Sequence, residues 1–241
     1  MNEGLCVQMT VKREMKALPE HLCASTDGDV IVVLDTTVDA ALRARATARE
    51  LINRFQKLRK RAGLQPSDSV DLFYAAAATP PNGAAPGPAP APPKNGAVAP
   101  TNGAVTGVAA VQEELEGAVE AEMETLVAAL GVRPVAAAVR PLGAVLLARE
   151  ASSLVLPSGE TTGVEVSLAV PAPAVDRRAV AAEFGENSVA GVAAFVAAKG
   201  LGALRRACEG GGGKVGVVID GHKRELVLGK HLFWSASELP R

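Results

Sequence analysis

The chain has 241 residues and a formal net charge of −1, with Lys and Arg nearly balanced by Asp and Glu. That length allows one large domain or two small ones, and the balance excludes a globally basic nucleic-acid-binding protein, so any such role has to be local. Three widely spaced cysteines (Cys6, Cys23, Cys208) argue against a disulfide framework, and the lack of a membrane-length apolar run or a signal-peptide pattern points to a soluble, cytoplasmic chain with no membrane partner.

In chain order, Leu5 to Val11 and Val30 to Leu34 read as strands, with Asp27-Gly28-Asp29 as the turn signal before the second. A long amphipathic helix follows. Pro66 marks the next loop and Val70 to Tyr74 reads as a third strand. Residues 1–74 are thus expected to form a small β-β-α-β domain.

The helix carries the strongest local pattern. At about 100° per residue, Ala44, Ala48, Leu51, Phe55, Leu58 and Ala62 form one apolar stripe. Arg49, Asn53, Gln56 and Lys60 lie opposite, with Arg45 and Lys57 beside them. Asp39 suits the N-cap and Gly63 the position just past the C-terminus. Lys57, Arg59, Lys60 and Arg61 fill the last turn, where cations complement the helix dipole. Eight basic residues stand against two acidic ones between Asp39 and Ala62. Such a surface is either a solvated face or a phosphate-contacting one, in which Arg and Lys position RNA while Asn or Gln reaches base edges.

Residues 75–110 read as a flexible linker. Eight of the sixteen prolines lie there, Lys94 is its only charge, and Asn-Gly recurs at Asn82, Asn95 and Asn102. A disordered Pro/Ala/Gly tract of this kind cannot bury enough apolar area to offset chain entropy.

The second block, 111–241, opens with a helix over Glu113 to Leu130. Glu113, Glu114, Glu116, Glu120, Glu122 and Glu124 give it an acidic side with no base among them. Strands are expected over Ala144 to Ala148 and Val164 to Val170, around a Pro157-Ser158-Gly159 turn. Helices over Asp176 to Phe184 and Val189 to Cys208 come next, then a hairpin of Val215 to Asp220 and Arg224 to Leu228 around Gly221-His222. The fold class is α+β, and the layout of this block suggests a ubiquitin-like β-grasp region of one or two modules.

The run from Ala48 to Leu64 also carries a resemblance. It reads A-R-E-x-x-N-R-x-Q-K-L-R-K-x-A-G-L, with Asp68 following, and resembles a segment near the C-terminus of the eukaryotic and archaeal type of isoleucyl-tRNA synthetase. The similarity extends over roughly Asp29 to Tyr74. It implies a fragment supporting tRNA binding and protein assembly for aminoacylation, with isoleucine tRNA, the rest of the synthetase, and other synthetases or scaffold proteins as partners. Arg49, Asn53, Gln56, Lys57, Lys60 and Arg61 are the tRNA-binding candidates. The appended C-terminal region of some of these enzymes carries ubiquitin-like modules, matching the layout of 111–241.

The same resemblance implies an absence. The family's His-x-Gly-His-like signature and Lys-Met-Ser-Lys-Ser-like loop for ATP are missing from the sequence, and there is no room for an editing domain. The chain is therefore expected not to aminoacylate alone and to hold no cofactor, ATP belonging to the parent's catalytic domain.

Other chemistry is thin. Gly210-Gly211-Gly212-Gly213-Lys214 runs helix to loop to strand, the reverse of a phosphate loop, and Val215 replaces the Ser or Thr. His21 and Cys23 are the only close pair of potential zinc ligands, so a metal site is not expected. Cys208 beside Arg205-Arg206 reads as a core residue rather than a nucleophile. His222 reads as a turn residue and His231 as a surface one. The competing interpretation is a protein-interaction module with no RNA contact, in which the acidic helix meets a basic partner.

Overall fold

The computed structural model describes residues 18–27, 30–77, 102–219 and 221–240. The strand expected over Leu5 to Val11 and most of the expected linker lie outside them. The chain divides into two compact units, Met1–Asp39 and Ala40–Arg241.

In the first unit, β1 (Leu22–Asp27) and β2 (Val30–Asp35) form an antiparallel ladder running from Leu22 opposite Asp35 to Asp27 opposite Val30. Thr36 closes the ribbon, its N–H donating to the His21 carbonyl at 2.7 Å. β1 was not anticipated, since Leu-Cys-Ala-Ser-Thr has little β-branched content; pairing with the Val-rich β2 creates it.

The second unit is built around α1 (Ala40–Arg61). Its Ala, Leu, Arg and Lys content favours helix throughout. It stops where the Leu64 N–H donates to the Arg59 carbonyl at 3.0 Å and the Gly63 N–H to Lys60 at 3.1 Å. This paired closure needs a left-handed residue, and Gly63 supplies φ +73°. Ala44, Ala48, Leu51, Phe55 and Leu58 are all buried, as the apolar stripe requires.

They pack on a four-stranded sheet ordered β4-β3-β6-β5. Its strands are β3 (Asp71–Ala77), β4 (Val135–Ala136), β5 (Leu146–Val155) and β6 (Thr161–Ala169). β3 runs parallel to β4 and antiparallel to β6, with Tyr74 opposite Val166. Leu72 and Tyr74 face the helical side with Val164, Val166 and Leu168; Phe73 faces the other side with Val135, Ala169, Ala174 and Ala236. α2 (Asn102–Ala121) and α3 (Met123–Leu130) cover the helical side beside α1, contributing Leu115, Val119, Leu126 and Leu130.

A second core lies further along the chain. It holds Val180 of α4 (Arg177–Phe184), Val192, Val196, Leu204 and Cys208 of α5 (Ser188–Gly210), and Val215, Val217 and Leu226 of a hairpin, β8 (Lys214–Ile219) and β9 (His222–Val227). Short strands β7 (Ala174–Val175) and β10 (Leu232–Phe233) pair antiparallel. Asp71, buried at the start of β3, accepts hydrogen bonds from the Ser235 hydroxyl and, at 3.2 Å, from the Ala236 N–H. That ties the end of the chain to the central sheet.

Five expectations are revised. The strand at 71–77 joins residues of the second block rather than β1 and β2, because an apolar strand buried on both faces needs a neighbour on each edge. Asn102 to Ala110, expected as linker, is helical, and the single helix over Glu113 to Leu130 is two helices meeting at Glu122. The sheet of a β-grasp fold is not formed among the described residues. β3 occupies the free edge of β6, and β8 and β9 pair only with each other. Finally, α5 is long and apolar enough by length and composition to cross a membrane, contrary to the sequence expectation. Its Val192, Val196, Leu204 and Cys208 nevertheless pack in the second core, and Gly200 kinks it at φ +69°, ψ +163°.

Candidate nucleic-acid interface

The basic side chains of α1 fall into two groups, one bonded to the protein and one in solvent. Arg54 is 9% exposed although charged. Its Nε donates to the Glu50 carboxylate at 3.1 Å, and its Nη2 donates to the Ser153 carbonyl on β5. Arg59 is equally buried and donates to the Pro66 carbonyl at 3.1 Å. Burial works against its charged form, while nearby Asp68 works for it. Arg43 reaches the Pro157 and Ser158 carbonyls of the β5–β6 turn at 3.1 and 3.0 Å. Thr47, also buried, donates to Val155 of the same hairpin, an oxygen 3.0 Å away. These side chains fasten the helix to the sheet edge.

Among the residues expected to bind tRNA, Arg61 is ion-paired with Glu150 on β5. Arg49, Asn53, Gln56, Lys57 and Lys60 are exposed and have no intramolecular partner among the described residues. Arg49 to Lys60 spans about 16 Å at 1.5 Å rise per residue. Near its C-terminal end lies a cleft of about 510 Å³, bordered by Gln56, Lys60, Gly63, Leu64, Pro66 and Leu130. A groove with apolar walls and a cationic rim is therefore continuous with the exposed stripe. The structure brings five of the six candidates onto one solvent face and gives the sixth a protein partner. Sequence periodicity did not single out Arg54 and Arg59 as anchors. The signal available was their flanking of Phe55 and Leu58, which places them at the border of the buried stripe.

The other candidate groups fall as follows. Gly211 opens the turn between α5 and β8, where a Cβ would sit 2.4 Å from the Lys214 carbonyl oxygen. Lys214 pairs with Glu225 at 2.9 Å. Close backbone approach explains the glycine there. Cys208 is buried in the second core, and burial together with Glu209 pushes its thiol up, away from a reactive thiolate. His231 corrects the sequence reading: it is fully buried, with Nε2 2.9 Å from Glu183 and Nδ1 accepting the Val227 N–H at 3.2 Å. That acceptor role assigns the ring proton to Nε2. Its ring stands 5.0 Å from that of Phe184, so it holds the β9–β10 turn against α4.

Comparison with known proteins finds similarity over part of the chain. No family model matches the chain. Curated aminoacyl-tRNA synthetases do match part of it. The cytoplasmic isoleucine–tRNA ligase of Schizosaccharomyces pombe is 44% identical over 66 residues, 27% of this chain and 6% of that protein. That of Saccharomyces cerevisiae is 47% identical over 65 residues, again 6% of its length. The isoleucine–tRNA ligase of Porphyromonas gingivalis is 46% identical over 56 residues. About a quarter of the chain is thus similar to isoleucine–tRNA ligases, as its sequence suggested, while the chain spans only a small fraction of their length.

Proposed function

We propose that α1 presents a tRNA-contacting surface of the kind used by isoleucine–tRNA ligases, with the chain acting in the cytoplasm as a C-terminal fragment that assists binding of isoleucine tRNA. The observation that carries this reading is the separation of charges on one helix. Arg43, Arg54 and Arg59 are committed to the protein, whereas Arg49, Lys57 and Lys60 remain in solvent beside Asn53 and Gln56. That outward row is left open to a phosphate backbone. The chain acts without aminoacylating on its own. The remainder of a synthetase supplies ATP chemistry, and other synthetases or scaffold proteins are further partners.

The test is binding of the full chain to isoleucine tRNA and to an unrelated tRNA across a salt series. Residues 1–74 alone are unsuitable, because they separate α1 and β3 from β5 and β6. With three free cations engaged, log K falls against log salt with a slope of about −2 on single-stranded RNA. A preference for isoleucine tRNA supports the reading. Salt-insensitive or undetectable binding at low salt rejects it in favour of a protein-interaction module.

A further inference from the structure

The cleft beside the C-terminal end of α1, about 510 Å³ in volume, is within the usual size range of small-ligand pockets. Its walls come from two parts of the chain. Gln56 and Lys60 belong to α1 and Leu64 and Pro66 to the loop after it, whereas Ala129 and Leu130 close it from the end of α3. α3 lies outside the stretch from Asp29 to Tyr74, so the enclosed space, unlike the cationic row, is not carried by the resemblance. Leu64, Pro66 and Leu130 give it apolar surface, and among the described residues no Asp or Glu lines it.

Arg59 supplies an independent sign of a ligand. It lines the cleft, is only 9% exposed, and donates from Nη1 to the Pro66 carbonyl. Its Nε is buried without a partner. A buried donor normally finds an acceptor, and one left unmatched is costly until an acceptor arrives. Asp68 favours the charged form of Arg59 but does not line the cleft. Lys60 adds a second cation, and the exposed Gln56 and Gln65 add amides that both donate and accept. The matching ligand has a flat apolar body, an edge that mixes donors and acceptors, and a negative charge. A nucleotide with an unpaired base has all three.

We propose that this cleft receives one unpaired base of a bound RNA strand, the ring lying on Pro66 and Leu130 with an acceptor edge toward Arg59, and its phosphate meeting Lys60. The inference rests on the reading of α1 as an RNA-contacting surface and deepens it. The outward cations hold the phosphate backbone and carry no sequence information, whereas the cleft selects strands that offer an accessible base.

The experiment is fluorescence anisotropy of the full chain with two short labelled RNA strands across a salt series. One has a mixed sequence; the other has the same length and charge but abasic spacers throughout. The base-bearing strand binds about tenfold tighter. Ala129→Trp, at an exposed position on the α3 wall, fills the cleft without entering the buried core and brings the base-bearing strand down to the abasic level. Arg59→Lys keeps the charge, removes the Nε donor, and weakens the base-bearing strand alone by about threefold to tenfold. Arg49→Ala with Lys57→Ala weakens both strands alike and preserves their ratio. Salt-dependent but equal binding of the two strands, or a base preference that survives Ala129→Trp, overturns the proposal and leaves the tRNA reading standing. Absent or salt-insensitive binding of both strands overturns the two together. Saturable binding of free AMP or UMP, with no preference between the strands, assigns the cleft to a free nucleotide and overturns the RNA form.

Discussion

The helices α1 and α2 pack in the same core and look alike as sequence patterns, each with an apolar stripe and a charged remainder. They use the charge differently. On α1 the arginines nearest the apolar stripe turn inward and bind backbone carbonyls, leaving a thin outer row of cations. On α2 the ties are lighter: Glu114 accepts the Ser158 N–H, and just past its C-terminus Glu122 pairs with Arg45 at 3.4 Å. Glu113 and Glu116 are left to line a cleft. The contrast follows from side-chain reach. A guanidinium can lie along the core boundary and still donate several hydrogen bonds. A carboxylate at the same boundary only accepts, and it depends on donors that the sheet edge does not supply.

The strongest way to probe this contrast is to remove what the two helices share. Phe55→Ala in α1 and Leu115→Ala in α2 each empty a fully buried site. Both should destabilise the second unit, by about 3–5 and 2–5 kcal/mol respectively, read by denaturant unfolding. Equal and small effects would mean that the common core does not hold the unit together.

A smaller effect isolates what is particular to α1. Arg54→Ala leaves the Ser153 carbonyl without its guanidinium donor and opens space beside Phe55, costing about 1–3 kcal/mol. Arg49→Ala, one exposed turn away, should change stability by less than about 0.5 kcal/mol. If the two variants unfold alike, the division of basic charge into anchors and free cations is wrong.

The helix α1 was legible in the sequence, whereas its anchoring arginines and the sheet they grip were not, and the difference has a physical cause. The stripe from Ala44 to Leu58 and the stop at Gly63 are local properties of one helix, so periodicity and end chemistry located them. The sheet is non-local. Nothing near Asp71–Ala77 says that its partners lie some ninety residues away, and an intervening Pro-rich tract argues for separate domains. β5 was foreseen only at its start, because Arg149 to Ser153 is polar and small, as suits an edge strand with one face exposed. His231 was misjudged for a similar reason, since Glu183 and Val227 become its partners only through the fold.

The free cations of α1 offer a test with almost no stability component. Lys57→Ala with Lys60→Ala should leave unfolding unchanged within about 0.5 kcal/mol. The same double variant should reduce the salt slope of tRNA binding from about −2 to about −0.7, since one free cation of three remains. A lost slope together with lost stability would reassign these lysines to the anchoring set.

The finest test lies on the α2 side and exploits composition, because Tyr74 is the only tyrosine in the chain. Phenolate absorbance therefore reports this position alone. Its ionisation is pushed above the ordinary value of 10.0 by burial, then by Glu116 and Glu120. The folded protein thus keeps the phenolic proton at a pH where the unfolded chain has released it. Stability associated with Tyr74 is complete below pH 10.0 and declines as pH rises beyond it. Tyr74→Phe should flatten that alkaline decline. Glu116→Gln should move the phenol's titration only slightly, toward lower pH, because burial remains as the larger cause. A titration unmoved by Glu116→Gln would place that carboxylate too far from the phenol to act on it.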